Sequence, residues 1–144
     1  GFGRFRPNAL APQSVLWGRD NRGAMLRVIG ECGDAATRIE NRVGEPTANP
    51  YLYLASQIHA GLDGIERKLK AAPATDAPYS SADARLPTSL GEALDALQGD
   101  AALRAAFGES FIHYFTRIKQ SELLRHEQAQ DKDEFERREY FARF

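Results

Sequence analysis

The chain has 144 residues, of which 42% are apolar and 27% are charged, and its net charge is −1. These values are typical of a single soluble domain, and no apolar run approaches the roughly 18 residues of a membrane span. Cys32 is the only cysteine, which excludes a disulfide framework and a thiolate metal cluster. We therefore expect a cytoplasmic protein without a membrane partner.

The Arg residues are concentrated near the start of the chain. Residues 1–42 hold seven Arg, no Lys and four acidic residues, a net charge of +3, while the remaining residues carry −4. The planar guanidinium matches phosphate and carboxylate groups through two N–H donors, so the use of Arg alone indicates fixed contacts with anions. An Arg-rich module that binds nucleic acid is the alternative that this excess suggests, although the surplus is small.

Residues 14–43 have the pattern of a small β-layer. Strands are predicted at 14–17, 24–29 and 36–43, with turn-forming residues between them. We expect the layer to be antiparallel, with the first two strands as a hairpin. Its buried face would consist of apolar residues that alternate along the strands: Val15, Trp17, Leu26, Val28, Ile39 and Val43.

From residue 49 the chain has the pattern of helices. Asn49 is a good N-cap, and Pro50 suits the first helical position. Apolar residues then recur every three or four positions and predict an amphipathic helix: Leu54, Ile58, Leu62, Ile65 and Leu69. Gly61 and Gly64 would each cost a helix interior about 1 kcal/mol, so we expect this helix to pack closely against another element.

The remaining residues predict a long loop over 71–87 and four further helices. Ser89 and Asp100 are N-caps of two short helices, and a long helix with an aromatic stripe runs from Glu109 to about residue 130. A last short helix begins at Asp133. Its packing residues would be Phe135, Tyr140, Phe141 and Phe144.

The expected fold class is α+β. A β-layer over residues 1–48 would be followed by about five helices over 49–144, with the whole of 1–144 belonging to one domain. A purely structural interaction domain built on the helices of 49–144 is an alternative, but it leaves the charge pattern of the third strand without a use.

That third predicted strand carries three charges on one face. Side chains alternate along a strand, so Arg38, Glu40 and Arg42 lie side by side. Two guanidiniums around a carboxylate can form a solvated ladder of ion pairs, which is the commoner arrangement on a surface. They can also bind a phosphate through the Arg residues and a divalent cation through Glu40, two ligands that meet in nucleotide chemistry.

Several motifs in a fixed order resemble the C-terminal part of the catalytic domain of glutamine synthetase and of its γ-glutamyl-amine ligase relatives. They are Arg4 with Pro7, Ala11-Pro12, Asn21-Arg22, Leu26-Arg27-Val28, Arg38-Ile39-Glu40-Asn41-Arg42 and Ala48-Asn49-Pro50-Tyr51-Leu52. The resemblance covers nearly the whole chain. With it, the phosphate and metal interpretation of the third strand is favoured over the ladder.

The resemblance implies roles for four Arg residues of the first fifty positions. Arg4 corresponds to an Arg that binds the carboxylate of the substrate glutamate, and Arg22 to one that contacts the transferred phosphoryl group. Arg27 corresponds to an Arg near the nucleotide phosphates. Arg38 corresponds to a further nucleotide contact.

Glu40 and Arg42 complete the site that the resemblance implies. Glu40 matches a ligand of the divalent metal, and Arg42 matches an Arg that reaches the phosphoryl group and the substrate carboxylate. We expect both to converge with Arg22 and Arg38 on one triphosphate and its cation. ATP and Mg²⁺ (or Mn²⁺) are implied, because the family phosphorylates the γ-carboxylate of glutamate before an amine displaces the phosphate.

The function implied is that of a part of an ATP-dependent ligase that joins glutamate to ammonia. Ligation of a larger amine or polyamine is the alternative. Phe2-Gly3 stands where many members have Tyr-Lys, Ala35 stands where many have Lys, and Trp17-Gly18-x-Asp20-Asn21-Arg22 is nearer to the amine ligases. Because one carboxylate cannot complete the metal site, we expect a fragment that is inactive alone, from a ring-forming homo-oligomeric parent without a nucleic-acid partner.

Overall fold

The structure, a computed structural model, describes residues 2–5, 11–80 and 84–142, so Arg6 and Phe144 lie outside the described residues. The chain divides into two compact units. The first, here called the sheet unit, comprises Gly1–Glu45 and Leu69–Thr88, and the second, the helical unit, comprises Pro46–Lys68 and Ser89–Phe144. None of the described helices combines the length and the apolar composition that a membrane crossing requires.

Three short strands form the centre of the sheet unit. They are β1 (Trp17–Arg19), β2 (Leu26–Ile29) and β3 (Arg38–Asn41), hydrogen-bonded in the order β1-β2-β3. β2 and β3 are antiparallel, as predicted. β1 and β2 are parallel, so the predicted hairpin is wrong. The α+β class is confirmed, and its β-layer is mixed rather than wholly antiparallel.

The loop between β1 and β2 explains the parallel pairing. Asp20 has a left-handed backbone with φ of 47°, and Oδ1 of Asn21 accepts a hydrogen bond from the N–H of Gly23 over 3.0 Å. An Asx turn of this kind reverses the chain locally. The left-handed residue Asp20 and the Asx turn that follows it return the chain to the start of β1. Leu26 therefore pairs with Trp17, and the two strands run in the same direction.

The predicted buried face of the β-layer is only partly buried. Val15 is 50% exposed and Ile39 is 70% exposed, while the other four apolar residues of that face are half-buried. Strands of three or four residues present little area to a second layer. The buried residues of this unit include Pro12 and Ala24 instead.

The predicted long loop contains no strand or helix among its described residues, but it pairs with the edge of β1. The N–H of Thr75 donates to the carbonyl of Trp17 over 2.9 Å, and the N–H of Val15 donates to the carbonyl of Ala84 over 2.8 Å. Described residues of segment 69–88 therefore form backbone hydrogen bonds with β1 and with the residues just before it.

Five α-helices occupy the described part of the helical unit. They are α1 (Pro50–Glu66), α2 (Leu90–Gly99), α3 (Ala101–Phe107), α4 (Glu109–Gln128) and α5 (Lys132–Glu136), followed by a π-helical turn (Arg137–Phe141). The predicted N-caps are confirmed, because the side chains of Asn49, Ser89 and Asp100 accept backbone N–H groups of α1, α2 and α3.

The chain end differs from the single helix that was predicted. After α5 the backbone widens into the π-helical turn, and two of its side chains bond to α4. Arg125 donates to both carboxylate oxygens of Glu139 over 2.8 and 3.0 Å. Glu122 accepts hydrogen bonds from Tyr140 and, over 2.8 Å, from Lys119.

The interior of the helical unit is small, and half-buried aromatic rings lie around it. Leu94, Ile112 and Phe135 are its buried apolar residues among those described. Phe111 stacks on Phe107 and on Phe115, with ring centroids 5.5 and 5.9 Å apart. The predicted aromatic stripe of α4 thus contributes to packing through its Phe residues, while Tyr114 remains 65% exposed.

The apolar face of α1 is exposed, contrary to expectation. Leu54, Ile58, Leu62 and Ile65 are between 56% and 75% exposed. A Cβ built on Gly61 or Gly64 would meet nothing within 4 Å, so neither glycine is in close contact with another described element. Periodicity established that one face of this helix is apolar, but the described residues of the chain leave that face exposed.

Candidate functional site

The pairing of β2 with β3 brings two predicted site residues together. Arg27 and Glu40 are direct cross-strand partners, so their side chains lie on the same face of the sheet. Nη1 of Arg27 donates to Oε2 of Glu40 over 3.2 Å. The Arg27 side chain is 17% exposed and that of Glu40 is 41% exposed, so the pair lies at the edge of solvent.

Arg42 lies on the other side of Glu40. Its backbone N–H donates to the carbonyl of Met25 over 2.9 Å, which continues the β2–β3 pairing past the end of β3. Nε of Arg42 is 3.8 Å from Oε2 of Glu40. Nη1 of Arg42 is buried and has no hydrogen-bond partner among the described residues. A buried guanidinium N–H without an acceptor is costly, and an anion beside it would supply one.

Arg4 reaches the same stretch of backbone from the start of the chain. It ends a short 3₁₀ turn, and its Nη2 donates to the carbonyl of Gly44 over 2.8 Å. Its guanidinium lies 4.7 Å from the centre of the Phe5 ring. Nε of Arg4 is buried without a partner among the described residues. Arg4 and Arg42 therefore each hold one unused buried donor.

Two of the predicted residues do not join this group. Arg22 is exposed in the loop after β1, and Arg38 is exposed at the start of β3, where its Nη1 donates to the carbonyl of Ala36 over 2.9 Å. Within the described residues neither one forms an ion pair with Glu40. The expected convergence is therefore observed for Glu40 and Arg42, joined by Arg27, but not for Arg22 or Arg38.

The structure adds Asp20, which the sequence did not single out as a site residue. Both Nε and Nη2 of Arg27 donate to Oδ1 of Asp20, the former over 3.1 Å. This hydrogen bond, opposed in part by burial, is the main reason that the pKa of Arg27 is raised above its ordinary value. The one signal in the sequence was an acid seven residues before Arg27, inside the Trp17-to-Arg22 motif.

The residues fit an anion well and a metal ion only in part. The unused N–H groups of Arg4 and Arg42 are suited to phosphate or carboxylate oxygens. Mg²⁺ takes about six oxygen ligands, and Glu40 can supply one carboxylate. No cluster of three or more His, Cys, Asp or Glu occurs in the described part of the chain, so any cation bound by Glu40 needs further ligands.

The helical unit has a cleft that contains none of the predicted site residues. Its volume is about 450 Å³, and it is lined by Gln98 of α2, by Arg104 of α3 and by residues of α4 that include His113 and Thr116. The lining residues belong to the helical unit, whereas Arg27, Glu40 and Arg42 belong to the sheet unit.

Comparison with known proteins identifies relatives along almost the whole chain. Residues 1–138 match the model of the glutamine synthetase catalytic domain. A γ-glutamylanilide synthase of an Acinetobacter species is 46% identical over 151 residues, covering 98% of this chain and 30% of that protein. The γ-glutamylethanolamide synthetase GlnA4 of Streptomyces coelicolor is 37% identical over 123 residues, covering 85% of this chain and 26% of that protein.

A solved structure supports the same relationship. The apo form of GmaS without ligand superposes with a TM-score of 0.75 at 31% sequence identity, covering 95% of this chain and 31% of that one. The chain thus spans between 26% and 31% of the length of these relatives. The resemblance inferred from the ordered motifs is confirmed. The chain belongs to the glutamine synthetase family and matches its catalytic domain.

Proposed function

We propose that this chain is part of an ATP-dependent ligase that joins the γ-carboxylate of glutamate to an amine. The observation that carries the proposal is the buried Nη1 of Arg42, which has no acceptor among the described residues and belongs to a side chain beside Glu40. Such an N–H lacks an acceptor, and an anionic oxygen would supply one. Family membership supports the assignment of that oxygen to a phosphoryl group.

The proposed reaction has two steps. The γ-carboxylate of glutamate attacks the γ-phosphorus of ATP, the bond to the β–γ bridging oxygen breaks, and an acyl phosphate and ADP form. The amine then attacks the acyl carbon, its surplus proton is lost, and the C–O bond breaks to release phosphate. Negative charge develops on phosphoryl oxygens in both steps, and guanidinium donors held at a fixed place stabilise that charge.

Five of the six predicted site residues, all except Arg27, have a proposed part in this reaction. Arg42 would bind the phosphoryl group, and Arg4, through its unused Nε, would bind a carboxylate of glutamate. Glu40 would be one ligand of Mg²⁺ or Mn²⁺, which when bound neutralises charge on the phosphates. Arg22 and Arg38 are exposed and unpaired with Glu40, so their proposed contacts with phosphoryl group and nucleotide depend on ATP reaching them.

We further propose that the acceptor is an organic amine rather than ammonia. The two relatives named above are synthases of a γ-glutamylanilide and a γ-glutamylethanolamide. The Trp17-to-Arg22 motif supports the same choice, and the structure gives its Asp20 a contact with Arg27. As the family resemblance implies, the parent would be a ring-forming homo-oligomer of the cytoplasm.

The Arg-rich nucleic-acid module is the weaker alternative. Arg27 uses three of its N–H groups on Asp20 and Glu40, and Arg42 lies beside the same carboxylate. Asp20 and Glu40 therefore compensate part of the charge of these two side chains, which lowers the surplus available for salt-dependent binding.

The test is release of inorganic phosphate by the full-length protein, with ATP, Mg²⁺ and glutamate and with ammonia, ethanolamine or aniline as acceptor. We expect phosphate release that requires both glutamate and an amine, and a higher kcat/KM for an organic amine than for ammonia. Phosphate release with ammonia, but with neither ethanolamine nor aniline, would overturn the acceptor assignment. No amine-dependent release with any acceptor would overturn the ligase.

The isolated chain of 144 residues is expected to be inactive in the same assay. It contributes Glu40 as a proposed metal ligand, but its described residues include no cluster of three or more side chains that could complete a metal site. Clear glutamate-dependent turnover by this chain alone would show that the proposal of a partial active site is wrong.

A further inference from the structure

The cleft of the helical unit has a polar lining. Among its described lining residues Ile112 alone is apolar, and that residue is only 4% exposed. The volume of about 450 Å³ lies within the range of about 300–1,000 Å³ that is typical of small-molecule sites. Most such sites have apolar walls, so this cleft suits a polar ligand better than an apolar one.

Two side chains of α4 bring unused hydrogen-bond donors to the cleft. Arg117 and Gln120 both line it and are three residues apart, so they lie on the same face of the helix. Both are exposed, and neither side chain has a hydrogen-bond or ion-pair partner among the described residues. Within that part of the chain, the guanidinium of Arg117 therefore has no acid to compensate its charge.

The one acid among the described lining residues is already compensated. Nε of Arg104 donates to Oε2 of Glu109 over 3.2 Å, and Nη2 of Arg104 donates to Oε1 over 2.6 Å. Two parallel bonds of this kind engage both oxygens of the carboxylate. Because the Arg104–Glu109 pair is neutral as a whole, Arg117 gives the lining a net positive charge, and the ligand that matches this lining is an anion.

Thr116 adds a hydroxyl group that the described fold does not use. A Thr within a helix commonly donates its hydroxyl proton to a carbonyl one turn earlier. Thr116 lines the cleft and is 4% exposed, and its buried Oγ1 has no hydrogen-bond partner among the described residues. An unpaired buried hydroxyl is unfavourable for folding. A ligand oxygen beside Thr116 would supply the missing acceptor.

We propose that this cleft binds a small molecule through a phosphate or carboxylate group, which accepts hydrogen bonds from Arg117, Gln120 and Thr116. The inference goes beyond the proposed function, because none of the residues with a proposed part in the ligase reaction lines the cleft.

The test is the rate at which phenylglyoxal, a reagent that modifies guanidinium groups, reacts with Arg117 in the full-length protein. Peptide mass spectrometry follows each Arg separately, so anions bound in the sheet unit do not enter this measurement. Inorganic phosphate and succinate are the two probes, and sodium chloride keeps the ionic strength constant. At ten times the dissociation constant of a probe, we expect modification of Arg117 to slow about 10-fold, because only the unoccupied fraction reacts. Arg138 is exposed and does not line the cleft, so its rate should not change.

Thr116→Val tests the hydroxyl, since Val has nearly the same shape as Thr. We expect the probe concentration that halves the rate at Arg117 to rise roughly 10-fold, the effect of losing one hydrogen bond to a charged group. The thermal midpoint of this variant without probe should not fall, because Oγ1 makes no hydrogen bond with the described residues. Ser121→Ala removes an exposed hydroxyl of α4 outside the cleft and should leave the probe concentration unchanged.

The two probes distinguish the sources of the anionic group. Protection of Arg117 by phosphate alone would assign a phosphate group to the ligand, protection by succinate alone would assign a carboxylate, and protection by both would support the shared chemistry. Equal rates at Arg117 with and without either probe would overturn the proposal, and so would equal slowing at Arg138.

Two further results would count against the site. If Arg117 does not react even without a probe, the cleft is covered in the full-length protein and the proposal is wrong. If Thr116→Val is protected as well as the wild type, the part given to the hydroxyl is wrong. Neither result bears on the ligase, which the release of phosphate with glutamate and an amine tests separately.

Discussion

The phenol of Tyr140 donates a hydrogen bond to Glu122, a residue of α4 that is only 5% exposed. Burial, and then this hydrogen bond, raise the pKa of Tyr140 above its ordinary value. A raised pKa in the folded state means that folding favours the protonated phenol. Its contribution to stability is therefore complete below about pH 10 and is lost as the pH rises through the folded-state pKa.

We accordingly expect the free energy of unfolding of the 144-residue chain to fall above about pH 10, and to fall less steeply in Tyr140→Phe. Urea denaturation followed by far-ultraviolet circular dichroism measures both. Tyr114→Phe is the control, because Tyr114 is 65% exposed. Equal slopes for wild type and Tyr140→Phe would contradict the prediction.

The proposed contact between Arg42 and the phosphoryl group can be tested by substitution of Arg42. In the full-length protein, Arg42→Lys keeps the positive charge but removes the planar fork that carries the unused Nη1. We expect kcat for phosphate release to fall by about 10²-fold, the typical effect of losing one preorganised donor to a developing oxyanion. Assembly, measured by light scattering, should not change.

The control for Arg42→Lys is Arg67→Lys. Arg67 donates to Asp63 one turn earlier and its side chain is 60% exposed, so its substitution should leave kcat unaltered. Full activity of Arg42→Lys would mean that this side chain serves only the ion pair with Glu40.

The exposed face of α1 predicts self-association of the isolated chain. Ile58 and Ile65 are 61% and 75% exposed, and such contiguous apolar surface is uncommon on a free monomer. We expect sedimentation velocity to show concentration-dependent association, and Ile58→Glu to suppress it. Gln57→Glu adds the same charge at the preceding position, where the side chain is polar, and should suppress it much less. A chain that is monomeric at all concentrations would refute this use of the face.

The contact between β1 and segment 69–88 predicts different effects at two glycines. A Cβ on Gly18 would lie 2.8 Å from the backbone oxygen of Thr75, so Gly18→Ala should destabilise the sheet unit by about 1–3 kcal/mol. A Cβ on Gly99 would meet nothing within 4 Å, so Gly99→Ala should not destabilise the chain. Trp17, the only tryptophan, reports unfolding of the sheet unit by fluorescence. Equal midpoints for Gly18→Ala and wild type would show that the segment moves aside without cost.

Helix positions were predictable from the sequence because their signals are local. The N-caps Asn49, Ser89 and Asp100 act within three residues of themselves, and the structure confirms all three. Strand direction was not predictable in this way. It depends on the left-handed backbone of Asp20, a conformation that an Asp adopts only in some contexts.

In the candidate site, too, some features were predictable from the sequence and others were not. The motifs indicated which residue types carry the chemistry, and the β2–β3 register places Arg27 opposite Glu40. The sharing of Arg27 with Asp20 needed coordinates, since an acid and an Arg seven positions apart meet only when the loop between them folds back. Ile58 illustrates a further limit: periodicity reveals that a face is apolar, but not what covers it.

Segment 69–88, rich in Ala and Pro, has the composition of a tether, yet Thr75 and Ala84 hold it against the edge of the sheet. Protein engineers who choose insertion points by composition would place an affinity tag or a protease site in this stretch. An insertion that pulls Thr75 away would expose the edge of β1, which could then pair with a strand of another molecule. The turn around Gly33, where an added Cβ meets nothing within 4 Å, offers a safer place for such a graft.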